Sequence, residues 1–208
     1  MKAPLPATVL LALALVACGG DGEDGARPPP TRPAASPSPA ATGFPPIEGT
    51  VPGEGFGGTD PVVIKSDPDP LLGPATLEDV RVGAHPEQGG WDRIVFEFRG
   101  ARPSGEVRYV PDAAQCGSGM PVDPRGSETL MIAFRTAQAH DDAGQITIDA
   151  PIAGSLPTVA GPGNAIVEAK QVCDFEGVVQ WAVGVDGRQR FNVRFLANPT
   201  RVIIDVKW

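Results

Sequence analysis

Past Pro74 the chain alternates apolar and polar residues with a period of two, the pattern of half-buried strands. The clearest case is WDRIVFEF, Trp91–Phe98. Extended, it puts Arg93 and Glu97 on one side and Ile94, Phe96 and Phe98 on the other. The chain ends on a near-copy, TRVIIDV, Thr200–Val206. Laid antiparallel, the two segments bring Arg93 opposite Asp205, Val95 opposite Ile203 and Glu97 opposite Arg201. Laid parallel in the corresponding register, like charges meet twice. A cross-strand ion pair is worth only ~0.2–1 kcal/mol, so these structural pairs select a register and do not drive the fold. The alternative is two unrelated strands with solvated charges, in which case neither Arg93–Asp205 nor Glu97–Arg201 should approach.

The same period recurs in LEDVRVGAH, GEVRYVP, ETLMIAFRT, QITIDAP, AIVEAKQVCDFEG, VVQWAVGVDG and FNVRFLAN. Turn chemistry separates them: VDGRQ, Val185–Gln189, reads as a hairpin and ANPT, Ala197–Thr200, as a tight corner. Eight or nine short, mainly antiparallel strands predict an all-β domain, a β-sandwich or partly closed barrel. A single helical turn is expected near Thr136–Gly144. Trp91, Phe96, Phe98, Phe134, Phe175, Trp181, Phe191 and Phe195 are the bulky core candidates.

Ahead of this domain the pattern changes. Lys2 precedes an apolar run, Val9–Ala17, too short for a membrane span of roughly 20 residues and suited to a secretory signal. LVAC, Leu15–Cys18, resembles the lipobox of bacterial lipoproteins. The resemblance implies a signal peptide over Met1–Ala17 and lipidation of Cys18, leaving the protein outside the cytosol and tied to the membrane. From Gly19 to Pro74, Pro and Gly make up about two-fifths of the residues. Such a stretch cannot bury enough apolar surface to offset its ordering entropy. Cys18–Pro74 is therefore expected to be a disordered linker, ~100 Å or more long where extended at ~3.1 Å per residue. DPVVIKSD, Asp60–Asp67, has strand character but Pro flanks, and falls within that linker.

The net charge is −8. Between Ala75 and Trp208, 13 Lys and Arg face 17 Asp and Glu, a mixed, mildly acidic surface with no basic stripe. That argues against a nucleic-acid partner. With Cys18 committed to lipid, Cys116 and Cys173 remain, and an even pair in an exported domain reads as one disulfide. The alternative is a catalytic thiol at Cys173 paired with His85 or His140. Titrating thiols on the unreduced protein separates the two.

FNVRFLANPTRVIIDV, Phe191–Val206, resembles the closing block of AMIN domains: a strand, an Asn/Asp-Pro corner, then an Arg-led strand ending on an acid. With VRVGAHPEQGGWDRIVFEFRG, VRYVPDAAQCGSGMPV and CDFEGVVQWAVGVDG in order, Ala75–Trp208 is similar to the AMIN-like domain of exported and lipid-anchored proteins of high-GC Gram-positive bacteria. The resemblance implies a β-sandwich in the cell envelope that binds and does not catalyse. Peptidoglycan or another wall polymer is the implied partner, and an adaptor scaffolding an envelope assembly through a sheet edge is the alternative.

The residues themselves agree. His85 and His140 form no H-E-x-x-H zinc motif, and CGSGM around Ser118 is not a nucleophile elbow, so neither a catalytic residue nor a metal or other cofactor is expected. AHDDAG around His140 reads as a polar turn sooner than a cation site. Trp91 and Tyr109 are ligand-binding candidates because each offers an apolar face with a polar handle. Trp181, alternating with Val179 and Val183, reads as core. Asp174 and Glu176 lie two apart, hence on one strand face. They suit an amine or a sugar hydroxyl, or equally an ion pair with Arg188 or Arg190.

Overall fold

The computed structural model describes residues 56–66 and 74–208. Cys18, the signal segment and the linker ahead of Phe56 lie outside the described residues. What is described is nearly all strand, as the period-two pattern dictates: β1 (Val62–Ile64), β2 (Ala75–His85), β3 (Trp91–Arg99), β4 (Ser104–Val110), β5 (Ala113–Ala114), β6 (Pro121–Val122), β7 (Glu128–Arg135), β8 (Ala137–Gln138), β9 (Ile152–Ala153), β10 (Leu156–Ala160), β11 (Ile166–Phe175), β12 (Val178–Val185), β13 (Phe191–Leu196) and β14 (Thr200–Lys207).

These strands form two principal sheets, ordered β1-β4-β7-β12-β11-β10-β9 and β13-β14-β3-β2-β8, with β5-β6 as a separate two-stranded flap. All pairings are antiparallel except β2 with β8. The inner faces enclose one core. Leu130, Ile132 and Phe134 of β7 and Val179, Trp181 and Val183 of β12 pack with Ile94, Phe96 and Phe98 of β3 and Val202, Ile204 and Val206 of β14. Phe134 is at its centre, 5.0 Å ring to ring from both Phe96 and Phe98. Each such side chain contributes about 1.5–3 kcal/mol when fully buried.

β14 lies antiparallel on β3 with Arg93 opposite Asp205, Val95 opposite Ile203 and Glu97 opposite Arg201. Arg93 Nε donates to Asp205 at 2.6 Å and Arg201 Nε to Glu97 at 2.8 Å. At the head of β3, fully buried Asp92 accepts hydrogen bonds from Ala165 N (2.7 Å), Ile166 N (2.9 Å), Asn164 Nδ2 (3.1 Å) and Trp208 Nε1 (3.1 Å). One carboxylate thus ties β3 to the start of β11 and to the C-terminus, with charge-assisted bonds replacing its lost hydration.

Three expectations are corrected. Val62–Ile64 is not linker: β1 pairs with β4, and Ile64 is buried in the core. Pro61 stands just outside this edge strand, where its missing N–H breaks no ladder. VDGRQ is not a hairpin, because β12 belongs to the seven-stranded sheet and β13 to the other, so this turn crosses between layers. Thr136–Gly144 holds no helical turn; it carries β8, a bridge from His140 to Ile146 and a turn closed by Gly144 N to Asp141 O. The one 3-10 turn among the described residues is Pro86–Gln88.

The flap folds over part of the seven-stranded sheet's outer face. Ala113 and Val122 of the flap pack with Val110 of β4, Met131, Val172 and Ala182 in a second, smaller apolar cluster. Two attachments hold it. Cys116 and Cys173 form a disulfide across a sequence separation of 57. Glu168, on β11, accepts from Arg125 N at 2.7 Å and Arg125 Nε at 2.8 Å, and pairs with Lys170 at 2.9 Å. The chain passes so close to β12 that a Cβ on Gly184 would sit 1.9 Å from Arg125 O, which is why a glycine stands there. Burial raises the Glu168 carboxyl, but the Arg125 amide, then Lys170 and the Arg125 guanidinium, outweigh it and bring its pKa from 4.5 to about 2.

Replacing Cys116 and Cys173 by Ser should lower the unfolding free energy by roughly 2–4 kcal/mol in urea titration, chiefly by freeing the unfolded chain. Because Glu168 titrates lower when folded, its stabilisation is complete above its unfolded pKa and disappears as pH falls from 4.5 towards 2. Acid unfolding of Glu168→Gln should therefore lack a component on the order of 2–3 kcal/mol that the unmodified protein loses across that window.

Candidate functional site: the outer faces of the two sheets

The flap leaves half of the seven-stranded sheet's outer face open. Registers place Val63, Glu106, Ala133, Gln180 and Cys173 in one row across five strands. Ser104, Arg135, Val178 and Phe175 form the next row. At ~4.8 Å between strands, the first row runs for roughly 19 Å. Phe175 is 61% exposed and Arg135 is exposed, while Ser104, Glu106, Ala133, Val178 and Gln180 are half-buried. This is a shallow, uncharged-to-mixed platform with an aromatic ring at one end.

Phe175 was expected in the core, and a β-bulge explains why it is not. The β11–β12 register slips between Gln171 and Cys173. An earlier slip lies between Ile166 and Glu168; between the two slips Ala169 and Gln171, opposite core residues Val183 and Trp181, point inward, and after the second slip the phase is reversed. Cys173 and Phe175 therefore point outward, and Cys173 meets the flap. Glu176 and Gly177, with φ of 49° and 74°, turn the chain directly into β12.

Both aromatic ligand candidates lie elsewhere. Trp91 is 1% exposed, stacked on His85 at 5.6 Å and packed against Phe56 at 6.0 Å, so its ring has no open face. Burial, then Arg93, holds the His85 imidazole below its ordinary 6.5. Tyr109 is buried against Phe191 at 6.0 Å, donates its hydroxyl to Gln189 O at 2.8 Å and lies under the Arg188 guanidinium at 4.9 Å. Burial pushes its phenol up to about 12. Nor do the two carboxylates share a strand face. Asp174 accepts from Ala139 N at 3.0 Å and meets His140 Nδ1 at 2.8 Å, fastening the 139–147 segment, whereas Glu176 is exposed in the turn. Arg188 reaches towards Glu128 instead, at 3.9 Å. Among the described residues, no three His, Cys, Asp or Glu gather as a metal cluster.

On the five-stranded sheet the outer face is closed. Arg81, Arg93, Arg194 and Arg201 interleave there with Asp79, Glu97 and Asp205. Hydrogen bonds from Arg201 and Arg81 overcome the effect of burial and hold Glu97 below its ordinary pKa. Val95 and Ile203 lie in the middle of this lattice, both buried.

A family model, the AMIN-like domain, matches residues 75–208, and the chain belongs to that family. AMIN-like domains are envelope-associated binding modules, which makes this a cell-envelope binding module on the outer side of the membrane, where a disulfide fits. No curated protein and no solved structure matches the chain.

Proposed function

We propose that the protein is a lipid-anchored, non-catalytic module that holds peptidoglycan or another wall polymer on the open half of the seven-stranded sheet. Phe175 carries this reading. It is the most exposed aromatic ring among the described residues, held rigidly at a hairpin end and flanked by Val178, Gln180 and Arg135. A sugar ring can lay its apolar face on such a phenyl group while an amide and a guanidinium hydrogen-bond its hydroxyls. The outer face of a sheet suits an extended polymer better than a small molecule, which favours a concave pocket. Acylation at Cys18 supplies the anchor, and the Pro-rich segment after it supplies reach.

A second reading, the protein–protein adaptor, has its own support at the edge of the five-stranded sheet. Lys207 N donates to Arg190 O, and Phe191 N turns the other way, to Gly58 O. In an antiparallel ladder this alternation continues, so the backbone groups of Val193 and Phe195 face away from β14 and can accept an added strand.

Sedimentation of the chain from Gly19 onward with purified peptidoglycan separates the two. The polymer reading predicts retention, weakened about tenfold by Phe175→Ala with stability unchanged, the size expected for losing ~1.4 kcal/mol of ring contact. No retention, together with an envelope protein that co-purifies through β13, supports the adaptor.

A further inference from the structure

The open face of the seven-stranded sheet carries two cations without partners, and they flank one serine. β1 and β4 run antiparallel with Ile64 opposite Gly105, so the next residue, Lys65, falls opposite Ser104. Ser104 in turn opposes Arg135 on β7. Alternation puts all three on the outer face, because Ile64, Val107 and Phe134 point into the core. Lys65, Ser104, Arg135, Val178 and Phe175 thus form one row, cationic at one end and aromatic at the other. Lys65 and Arg135 are both exposed, and their Cα atoms lie ~10 Å apart, two strand spacings. The backbone of Lys65 is held in place: its carbonyl accepts from Arg102 Nε at 2.8 Å, and the same guanidinium packs over Phe195 at 4.8 Å.

Elsewhere the basic side chains are engaged. Among the described residues, Lys170, Lys207 and every arginine except Arg135 and Arg190 has a carboxylate or carbonyl partner. Lys65 and Arg135 have none there, and neither does the Ser104 hydroxyl between them. The acid two residues along β4, Glu106, is taken by Arg108 at 3.3 Å. Glu176 stands at the far end of the row, in the turn beyond Phe175. On a domain with more acids than bases, this end of the row keeps two positive charges without a counter-charge. Like charges at this spacing repel, and an anion between them removes the repulsion.

We infer that Lys65, Ser104 and Arg135 form an anion subsite that takes a carboxylate of the bound wall polymer. The assignment rests on the polymer reading and names the part of the polymer that this end of the row holds. A carboxylate above Ser104 accepts from the ammonium on one side, the guanidinium on the other and the hydroxyl beneath. Arg135, with five donors, holds it and still reaches a sugar hydroxyl. Phe175 and Val178, further along the row, take the apolar face of a sugar. The face therefore selects a polymer that carries carboxylates over a neutral glycan.

The test is sedimentation of the chain from Gly19 onward with three preparations: untreated peptidoglycan, peptidoglycan freed of phosphodiester-linked polymers by hydrofluoric acid, and the acid-treated material with its carboxylates amidated. The subsite predicts equal binding to the first two and about fivefold weaker binding to the amidated one, the size of two exposed ion pairs. K65Q/R135Q should bind the unamidated material about fivefold more weakly and lose its sensitivity to amidation, with its urea midpoint unchanged. Arg135→Lys, which keeps the charge, should retain most of the affinity. Binding that amidation does not weaken, with K65Q/R135Q equal to the unmodified protein, overturns the subsite and leaves the polymer reading standing. Binding lost on acid treatment overturns the carboxylate assignment in favour of a phosphate. No retention on any of the three overturns the polymer reading and the subsite with it.

Discussion

A sheet in a sandwich has two faces, and only one can be buried against its partner. That constraint organises this molecule. The inner faces form a single aromatic-centred core around Phe134, which fixes the layers but offers nothing to a ligand. The outer faces are treated in opposite ways. On the five-stranded sheet, ion pairs roof over Val95 and Ile203. On the seven-stranded sheet, a disulfide-fastened flap covers one half and leaves the other to solvent. The open half is where binding is available without unfolding anything.

Charged groups here serve as fasteners. Asp92 joins a strand end to a loop and the C-terminus, Glu168 clamps the flap, and Asp174 fastens the segment beyond β8. Each accepts from at least one backbone N–H, which fixes position more firmly than a side-chain pair at the surface. This rigidity matters for Phe175. A ring at the end of a hairpin is useful to a polymer only if the hairpin does not move, and β11 is held beside it through Cys173 and Asp174.

Much of the fold was legible in the sequence because period-two alternation maps directly onto a two-layer β structure. The charge order of the strands at Trp91 and Thr200 suits only the antiparallel pairing that the structure has. Turn chemistry was less informative. Asp-Gly in VDGRQ announces a reversal but not whether the chain returns to the same sheet, and here it crosses. Pro around Val62–Ile64 hid a strand, since proline at a sheet edge breaks no ladder. The binding platform was the least legible part. Its aromatic faces outward because of one inserted residue in β11, and nothing in CDFEG marks a bulge. Trp91 looked available because two glycines precede it, yet His85 and Phe56 close over it from other parts of the chain.

The central claim is that the polymer lies on the open half of the seven-stranded sheet. Amide chemical-shift mapping with soluble glycan fragments of the wall tests it most directly. The account predicts perturbations at Ala133, Arg135, Phe175, Val178 and Gln180, with β3 and β14 silent. Perturbations confined to the five-stranded sheet or its β13 edge, or none at saturating fragment, would contradict it.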